Sequence, residues 1–460
     1  QPDTSLLTAL QGRLHDPDSL LINTASHDEY FHDATGYSVK PHGILVAESV
    51  DDLTSAVTFC HEHHIPITTR GAGTGLSGGC VASPGALVIS VEKLTDLTVD
   101  PNRRIAICGP GVITKTLQDA AAEHGLTYPP DPASYAESTL GGNIAENAGG
   151  LRCVKYGVTR DYVLGLEAVT AAGETIGTGY FNDYRGVNVG DVLIGSEGTL
   201  AILTRIAVRL TPVQPRGVTI LAAFPEMRQA GQTVTDIRSA GLIPTVMEFI
   251  DGDAAEASNR YEPTTGLERA GAILLLETSG GNPDEERRQI EQICHRNRAS
   301  LVRTEPDPDK AESLWTVRRN ISKAVKAMAA YAISEDVVVP NSQFPELVDF
   351  VADMNRTSPL RINSFGHAGD GNLHVYFLSE DGSAEDLRRI DHEIERLMRT
   401  TIAMGGTLTG EHGIGLAKRQ YLSWEFDSAT LRAMTAVRDV FDPARLLNPD
   451  KLFAPSHDKT

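Results

Sequence analysis

Hydrophobic positions along the chain follow two periods, and the switches between them mark the elements. Leu6, Leu7, Leu10 and Leu14 fall at helical spacing ahead of a polar stretch rich in His and Asp, which reads as an N-terminal extension over residues 1–40 packed on the first domain. Gly43 to Ala47 is an apolar strand, followed by Val50, Leu53, Val57 and Cys60 at helical spacing and then by a strand from Ile65 to Thr69. Further strands are predicted at 86–91, 104–108, 164–170 and 200–210, with a helix at 113–124. Pro212 and Pro215 break the pattern, which puts a domain boundary near 215. Beyond it, strands at 218–224, 245–250, 271–277, 332–339, 361–366 and 373–378 are interspersed with helices at 226–240, 284–297, 311–329, 345–356 and 384–404. That interleaving predicts an α+β unit in which helices cover an antiparallel sheet.

A chain of 460 residues with 41% hydrophobic positions is enough for two to three cores. The formal charge of -20 and the pI near 5.1 exclude a nucleic-acid partner, because such a surface needs a concentrated excess of Lys and Arg. A local basic pocket for a small anion remains compatible with that charge. The five cysteines, at 60, 80, 108, 153 and 294, show neither clustering nor CxxC spacing, so they read as reduced thiols of a cytoplasmic or matrix-like compartment. No apolar run approaches the roughly 18 to 20 residues of a membrane-spanning helix. A cytoplasmic placement is expected, peripheral attachment to a membrane included, or the mitochondrial matrix if a targeting segment has been removed from ahead of Gln1.

Two stretches are too poor in side chain to be ordinary elements. Arg70-Gly-Ala-Gly-Thr-Gly-Leu-Ser-Gly-Gly leaves the strand before it with five glycines in ten residues, so successive amides can converge on a pyrophosphate. It lacks the Gly-Lys-Ser/Thr of a Walker loop and the GxGxxG spacing, and taken alone it is equally a structural glycine turn. A second loop, Ser138-Thr-Leu-Gly-Gly-Asn-Ile-Ala-Glu-Asn-Ala-Gly-Gly, shares its character, and two such loops in one domain carry an entropy cost that a ligand between them would offset.

With Leu151-Arg-Cys-Val-Lys-Tyr-Gly and Gly195-Ser-Glu-Gly-Thr-Leu, these loops closely resemble the FAD domain of the vanillyl-alcohol oxidase and p-cresol methylhydroxylase (PCMH) superfamily over residues 41–214. The resemblance implies FAD, with its pyrophosphate on the backbone amides of Gly71 to Gly79 and with Arg70, Gly71, Ala72, Gly73, Thr74, Gly75, Leu76, Ser77 and Gly78 as the cofactor-binding residues of this loop. Ser138, Thr139, Gly142, Asn143, Gly149, Gly157, Glu197, Gly198, Ile202 and Asn448 would line the rest. Some relatives bind flavin covalently through His or Cys. Position 70 is Arg and neither loop contains His, so the FAD is expected to be non-covalent, with Cys80 and Cys153 read as buried thiols.

The second half carries Ser364-Phe-Gly-His-Ala-Gly-Asp-Gly-Asn-Leu-His and then Gly410-Glu-His-Gly-Ile-Gly. Histidines seven apart would point to opposite faces of a straight strand, but Ala368-Gly-Asp-Gly is turn sequence that can aim His367 and His374 at one point. Glu411 would complete a two-histidine, one-glutamate set suited to a zinc-like or manganese-like ion. By spacing alone, surface-loop histidines are the plainer reading.

The pattern is, however, very similar to D-lactate dehydrogenases, D-2-hydroxyglutarate dehydrogenases and the catalytic subunit of glycolate oxidase, as is Phe441-Asp-Pro-Ala-Arg-Leu-Leu-Asn-Pro-Asp-Lys. Across 41–453 this resemblance implies His367, His374 and Glu411 as metal ligands, Asn372 as a substrate contact and His412 as the catalytic base. It implies Arg318 as the grip on the substrate carboxylate, with Arg319 as its decoy and an exposed helix charge as the plain alternative. Where the hydroxyglutarate enzymes carry Lys-Tyr-Asp, this chain has Ser334-Glu335-Asp336, with no cation for a second carboxylate. A distal carboxylate would meet Glu335 or Asp336 instead, which favours a monocarboxylate such as D-lactate over D-2-hydroxyglutarate.

The expected architecture is therefore α+β, with an extension at 1–40, a two-part PCMH-type FAD domain at 41–214, a substrate or cap domain at 215–440 and a segment at 441–460 returning to the FAD domain. No nicotinamide fingerprint accompanies it. Expected partners are a small 2-hydroxy acid and an electron acceptor such as quinone, cytochrome c or an electron-transfer flavoprotein. Membership of a glycolate oxidase-like complex is the alternative, and a homodimer is compatible with either.

Overall fold

The computed structural model describes residues 4–182, 186–214, 217–262, 267, 269–279 and 282–453, apart from the side chain of residue 308. Pro215, residues 1–3 and residues 454–460, on which parts of the expected boundaries fall, lie outside them. The chain divides into two units: residues 1–149, 158–213 and 411–460 form the first, and residues 150–157 and 214–410 the second.

In the first unit, the strands Leu20–Leu21, Gly43–Val46, Leu87–Ser90 and Ile67–Arg70 lie side by side in that order, the last three parallel. The helix Val50–His63 is the crossover between Gly43–Val46 and Ile67–Arg70. Ser49 caps it by accepting from the Asp52 amide, His64 ends it in a left-handed turn, and Leu53, Ala56, Val57 and Cys60 bury its apolar face. Leu7, Leu10 and Leu14 of the N-terminal stretch join the same core, so the 1–40 extension is part of the hydrophobic packing rather than an appendage. A second, five-stranded antiparallel sheet runs in the order Leu97–Asp100, Ile105–Cys108, Ala201–Arg209, Val163–Thr170, Thr175–Gly177.

The second unit is built on one seven-stranded antiparallel sheet. Its order is Leu301–Glu305, Val218–Phe224, Ala272–Thr278, Val246–Asp251, Arg361–Gly366, Asn372–Ser379, Tyr331–Val338. The helices Gly252–Tyr261 and Pro308–Lys326 pack on the face that carries Ile250, Phe365 and Tyr376.

Three sequence expectations change. Part of the second small-residue loop is a helix, Leu140–Glu146, because Thr139 Oγ1 accepts from the Gly142 amide at 3.2 Å and nucleates a turn that two glycines disfavour. The substrate domain was expected to run to 440, but the change of unit falls at 410/411, because the amides of Ile414 and Gly415 are bound by Glu197 and those of Leu416 and Ala417 by the Ser77 carbonyl. Residues 150–157 also leave the first unit: Lys155 Nζ donates to Ser279 and to Thr245 Oγ1 of the second.

Candidate active site

The strand Ile67–Arg70 feeds the glycine-rich loop, and the loop is pinned from behind. The Arg70 guanidinium donates to the carbonyls of Glu29 and His32, both at 2.7 Å, and to Cys80 Sγ. Its side chain is thus engaged with the N-terminal segment and Cys80, and its carbonyl accepts from the Val91 amide. Gly71 approaches the second small-residue segment so closely that a Cβ there would stand 2.3 Å from Thr139 Oγ1. Gly73 and Gly78 take φ values of +74° and +82°, a left-handed region that other residues enter at a cost.

The two segments wall a cleft together with the 197–203 stretch and Asn448. Of the residues expected to hold the cofactor, Gly71, Gly142, Glu197, Gly198 and Asn448 line it. Thr139 caps the helix behind Gly142, and Ser138 Oγ and the Asn143 amide both bond Thr114 Oγ1. Ile202 lies in the hydrophobic core, and Gly157 belongs to the second unit. Ala72, Thr74, Gly75, Leu76 and Ser77 continue the loop, and Gly149 ends the first segment of this unit.

Glu197 and Asn448 are non-glycine residues at φ +51° and +40°, and backbone held in this region concentrates at ligand sites. Asn448 Nδ2 donates to the carbonyls of Glu197 and Gly79, so it ties the first glycine loop to the 195–200 stretch. Thr69 Oγ1, Glu146 Oε2 and Asn448 Oδ1 line the cleft, are buried and have no protein partner among the described residues. Orphaned polar atoms beside glycine backbone are what a large polar cofactor would satisfy.

The sequence reading passed over Glu146. Burial, with the Glu197 and Asp33 carboxylates nearby, pushes its carboxyl well above the ordinary range. Glu197 accepts two amide N–H groups at 2.7 Å and is the better host for the charge.

The second unit assembles side chains instead. Arg361–Gly366 and Asn372–Ser379 form a hairpin through the 3-10 turn Ala368–Asp370 and Gly371 at φ +74°. The turn brings His367 and His374 together, with ring centroids 5.3 Å apart and planes at 88°. Both rings are buried, as is Asn372 at the start of the return strand, whose Oδ1 has no protein partner among the described residues. Gly410 lies against the Asn372 amide with no room for a Cβ.

Arg318 is buried, and its guanidinium lies over the Phe365 ring, 5.1 Å from the centroid. Arg319 points elsewhere and pairs with Glu312 on the half-exposed side of the helix. Arg318 is held by a residue that the sequence reading missed. Glu248, fully buried in the apolar strand Val246–Asp251, takes Arg318 Nε on Oε2 at 2.6 Å and His367 Nδ1 on Oε1 at 2.7 Å. A lone acid inside Val-Met-Glu-Phe-Ile was the available signal.

Alternation along Tyr331–Val338 separates the two acids expected to repel a distal carboxylate. Asp336 stands opposite His374 and shares its face, while Glu335 stands opposite Val375 on the other face. Only Asp336 is therefore on the histidine side, where it accepts from Thr409 Oγ1 and the Gly410 amide. Glu411 and His412 follow directly, in the short passage between Gly410, anchored in the second unit, and Ile414, anchored on Glu197 in the first.

Residues 41–179 match the model of an FAD binding domain, and residues 213–452 match that of the FAD linked oxidases, C-terminal domain. The chain belongs to the FAD-linked oxidases. Among curated relatives, this FAD-linked oxidase is 37% identical to the glycolate oxidase subunit GlcD of Bacillus subtilis, over 95% of this chain and 94% of that one. It is 34% identical to a D-lactate dehydrogenase of Archaeoglobus fulgidus, over 92% of this chain and 95% of that one. Among solved structures, p-cresol methylhydroxylase with substrate bound aligns with a TM-score of 0.80 at 14% identity, covering 99% and 97% of the two chains, which establishes the shared PCMH-type fold. FAD is thus the cofactor of the first unit. Among the described residues, no helix is long and apolar enough to cross a membrane.

Proposed function

We propose that this FAD-linked oxidase converts a D-2-hydroxy monocarboxylate, best matched by D-lactate, to its 2-oxo acid. The observation that carries the reading is the buried Arg318, which lies over Phe365 and shares Glu248 with His367, the ring paired with His374. A planar guanidinium in a dry site suits a small carboxylate, and the paired rings suit a divalent ion. Arg318 grips the carboxylate, Asn372 contacts the substrate, and His412 takes the proton from the hydroxyl. A zinc or manganese ion on His367, His374 and Glu411 would polarise that hydroxyl and favour its deprotonation. Non-covalently bound FAD would take the C2 hydrogen as hydride and pass electrons to a non-nicotinamide acceptor of the quinone, cytochrome c or electron-transfer flavoprotein kind.

Ser334, on the histidine face opposite Tyr376, supplies no cation for a second carboxylate, and Asp336 beside it opposes one. This favours D-lactate over D-2-hydroxyglutarate. The identity to a glycolate oxidase subunit supports a second reading, in which the chain works within a multi-subunit complex and glycolate is the substrate.

Anaerobic mixing with D-lactate, D-2-hydroxyglutarate, D-malate and glycolate tests both. D-lactate is expected to bleach the flavin fastest, and a chelator to slow it. Faster bleaching by glycolate moves the assignment to the second reading, and no bleaching by any of the four refutes the class. His412→Ala is expected to slow bleaching by about 10²- to 10⁴-fold while changing substrate affinity little.

A further inference from the structure

Glu248 sits on no loop and in no motif. It interrupts a strand whose six residues, Val246–Asp251, are all buried, and both of its oxygens are committed. Oε2 takes Nε of Arg318 at 2.6 Å and Nη2 at 2.5 Å, so one edge of the guanidinium is fixed and Nη1 is left for another anion. Oε1 takes Nδ1 of His367 at 2.7 Å. These partners lie 70 and 119 residues away in sequence. A carboxylate can only accept, so His367 donates through Nδ1–H, and in the neutral ring this puts the lone pair on Nε2.

We infer that Glu248 is a positioning residue that links the carboxylate grip to the metal-facing histidine, fixing the edge of Arg318 and the tautomer of His367 with one buried side chain. The inference rests on the proposed roles of Arg318 and His367. Loss of Arg318 would leave the buried carboxylate without a counter-charge, and loss of His367 would leave Oε1 without its donor, so each partner helps to hold the side chain that orients the other. The same arrangement, in which a carboxylate fixes a ligating ring, tunes metal sites generally. An amide in its place could accept from only one partner and would turn its NH₂ toward the other's N–H. An aspartate keeps the charge but is one methylene too short to span both.

The test compares the full-length, FAD-loaded protein with Glu248→Gln and Glu248→Asp. Three readouts are taken: the ¹⁵N ring signals of His367 in the metal-free protein, assigned by their loss in His367→Gln; Mn²⁺ affinity without substrate; and KM and kcat for D-lactate. The wild type is expected to show the Nδ1–H tautomer. Glu248→Gln should lose that preference, weaken Mn²⁺ about 10- to 100-fold and raise KM at least about tenfold. Glu248→Asp should move all three the same way by less, and it decides the matter if Glu248→Gln does not fold.

A Glu248→Gln variant whose tautomer and Mn²⁺ affinity match wild type while KM alone rises would overturn the inference, leaving Glu248 as a counter-ion for Arg318 only. A wild-type Nε2–H tautomer would overturn it as well. If the wild type binds no Mn²⁺ and oxidises no hydroxy acid, the functional reading fails, while the tautomer comparison still supports or refutes the positioning role of Glu248.

Discussion

Three polar atoms lining the flavin cleft, Thr69 Oγ1, Glu146 Oε2 and Asn448 Oδ1, have no protein partner among the described residues, whereas in the sheet unit both oxygens of Glu248 are bonded to side chains. The first unit keeps several polar atoms waiting and brings bare backbone close; the second leaves Asn372 Oδ1 without a protein partner among the described residues but matches its buried charges in advance. The difference follows ligand size. A dinucleotide supplies enough donors and acceptors to complete a cleft on binding. The small hydroxy acid proposed as substrate would supply few, so the groups proposed to grip it would need to be oriented beforehand.

Substitutions in the two units should therefore fail differently. Arg318→Ala should lower kcat/KM about a thousandfold, about 4 kcal/mol, because it removes the proposed carboxylate grip and strands Glu248, while FAD content stays at wild-type level. An equal loss of flavin would erase the distinction between the units.

Next in size is a pH effect confined to the first unit. Burial lowers the Lys451 ammonium to about 8, although Nζ donates to the Val81 carbonyl at 2.6 Å. In the unfolded chain the group titrates near 10.4, so between these values the unfolded state holds a proton that the folded state lacks. Stability should rise with pH from about 8 to about 10, by about 3 kcal/mol at most, and Lys451→Met should flatten that slope in denaturant titrations. An unchanged slope would assign the effect elsewhere.

Gly71→Ala should weaken FAD about 10- to 100-fold, some 1 to 3 kcal/mol, since the new Cβ meets Thr139 Oγ1 and disturbs the cap on the Gly142 amide. The metal-free His367 signals in the second unit should not move. The smallest effect is expected of Arg319→Ala, within about 0.5 kcal/mol in stability and without change in kcat/KM, because its pair with Glu312 is partly solvated.

The same contrast explains what could be read from sequence. Glycine loops announce close backbone approach, and the strand–turn–strand of 361–379 follows from apolar alternation broken by Ala-Gly-Asp-Gly, so both were legible. The helix Leu140–Glu146 was hidden by its own glycines, and Leu97–Asp100, Thr175–Gly177 and Leu301–Glu305 are short strands, half-exposed or exposed along most of their length, whose period is too brief to register. Gly252–Tyr261 begins on glycine and is rich in Ala and Ser, so only its Asp251 cap marks it. Glu248 was invisible for another reason: a single acid has no period, and its partners come from a helix and a turn far along the chain. Glu146 lay inside a motif already read for its glycines.

The bond from Asn448 to the Gly79 and Glu197 carbonyls also has a consequence for biosynthesis. The cofactor unit is discontinuous: its wall is begun before residue 80 and closed only at Asn448. A ribosome adding about 5 to 20 residues per second needs on the order of 10 to 50 seconds to travel from residue 213 to residue 448. Throughout that interval the glycine loops exist without their C-terminal clasp, while the sheet unit can complete itself. Flavin loading is thereby expected only once Asn448 has been made, and a chain truncated before it is expected to leave the first unit open and colourless.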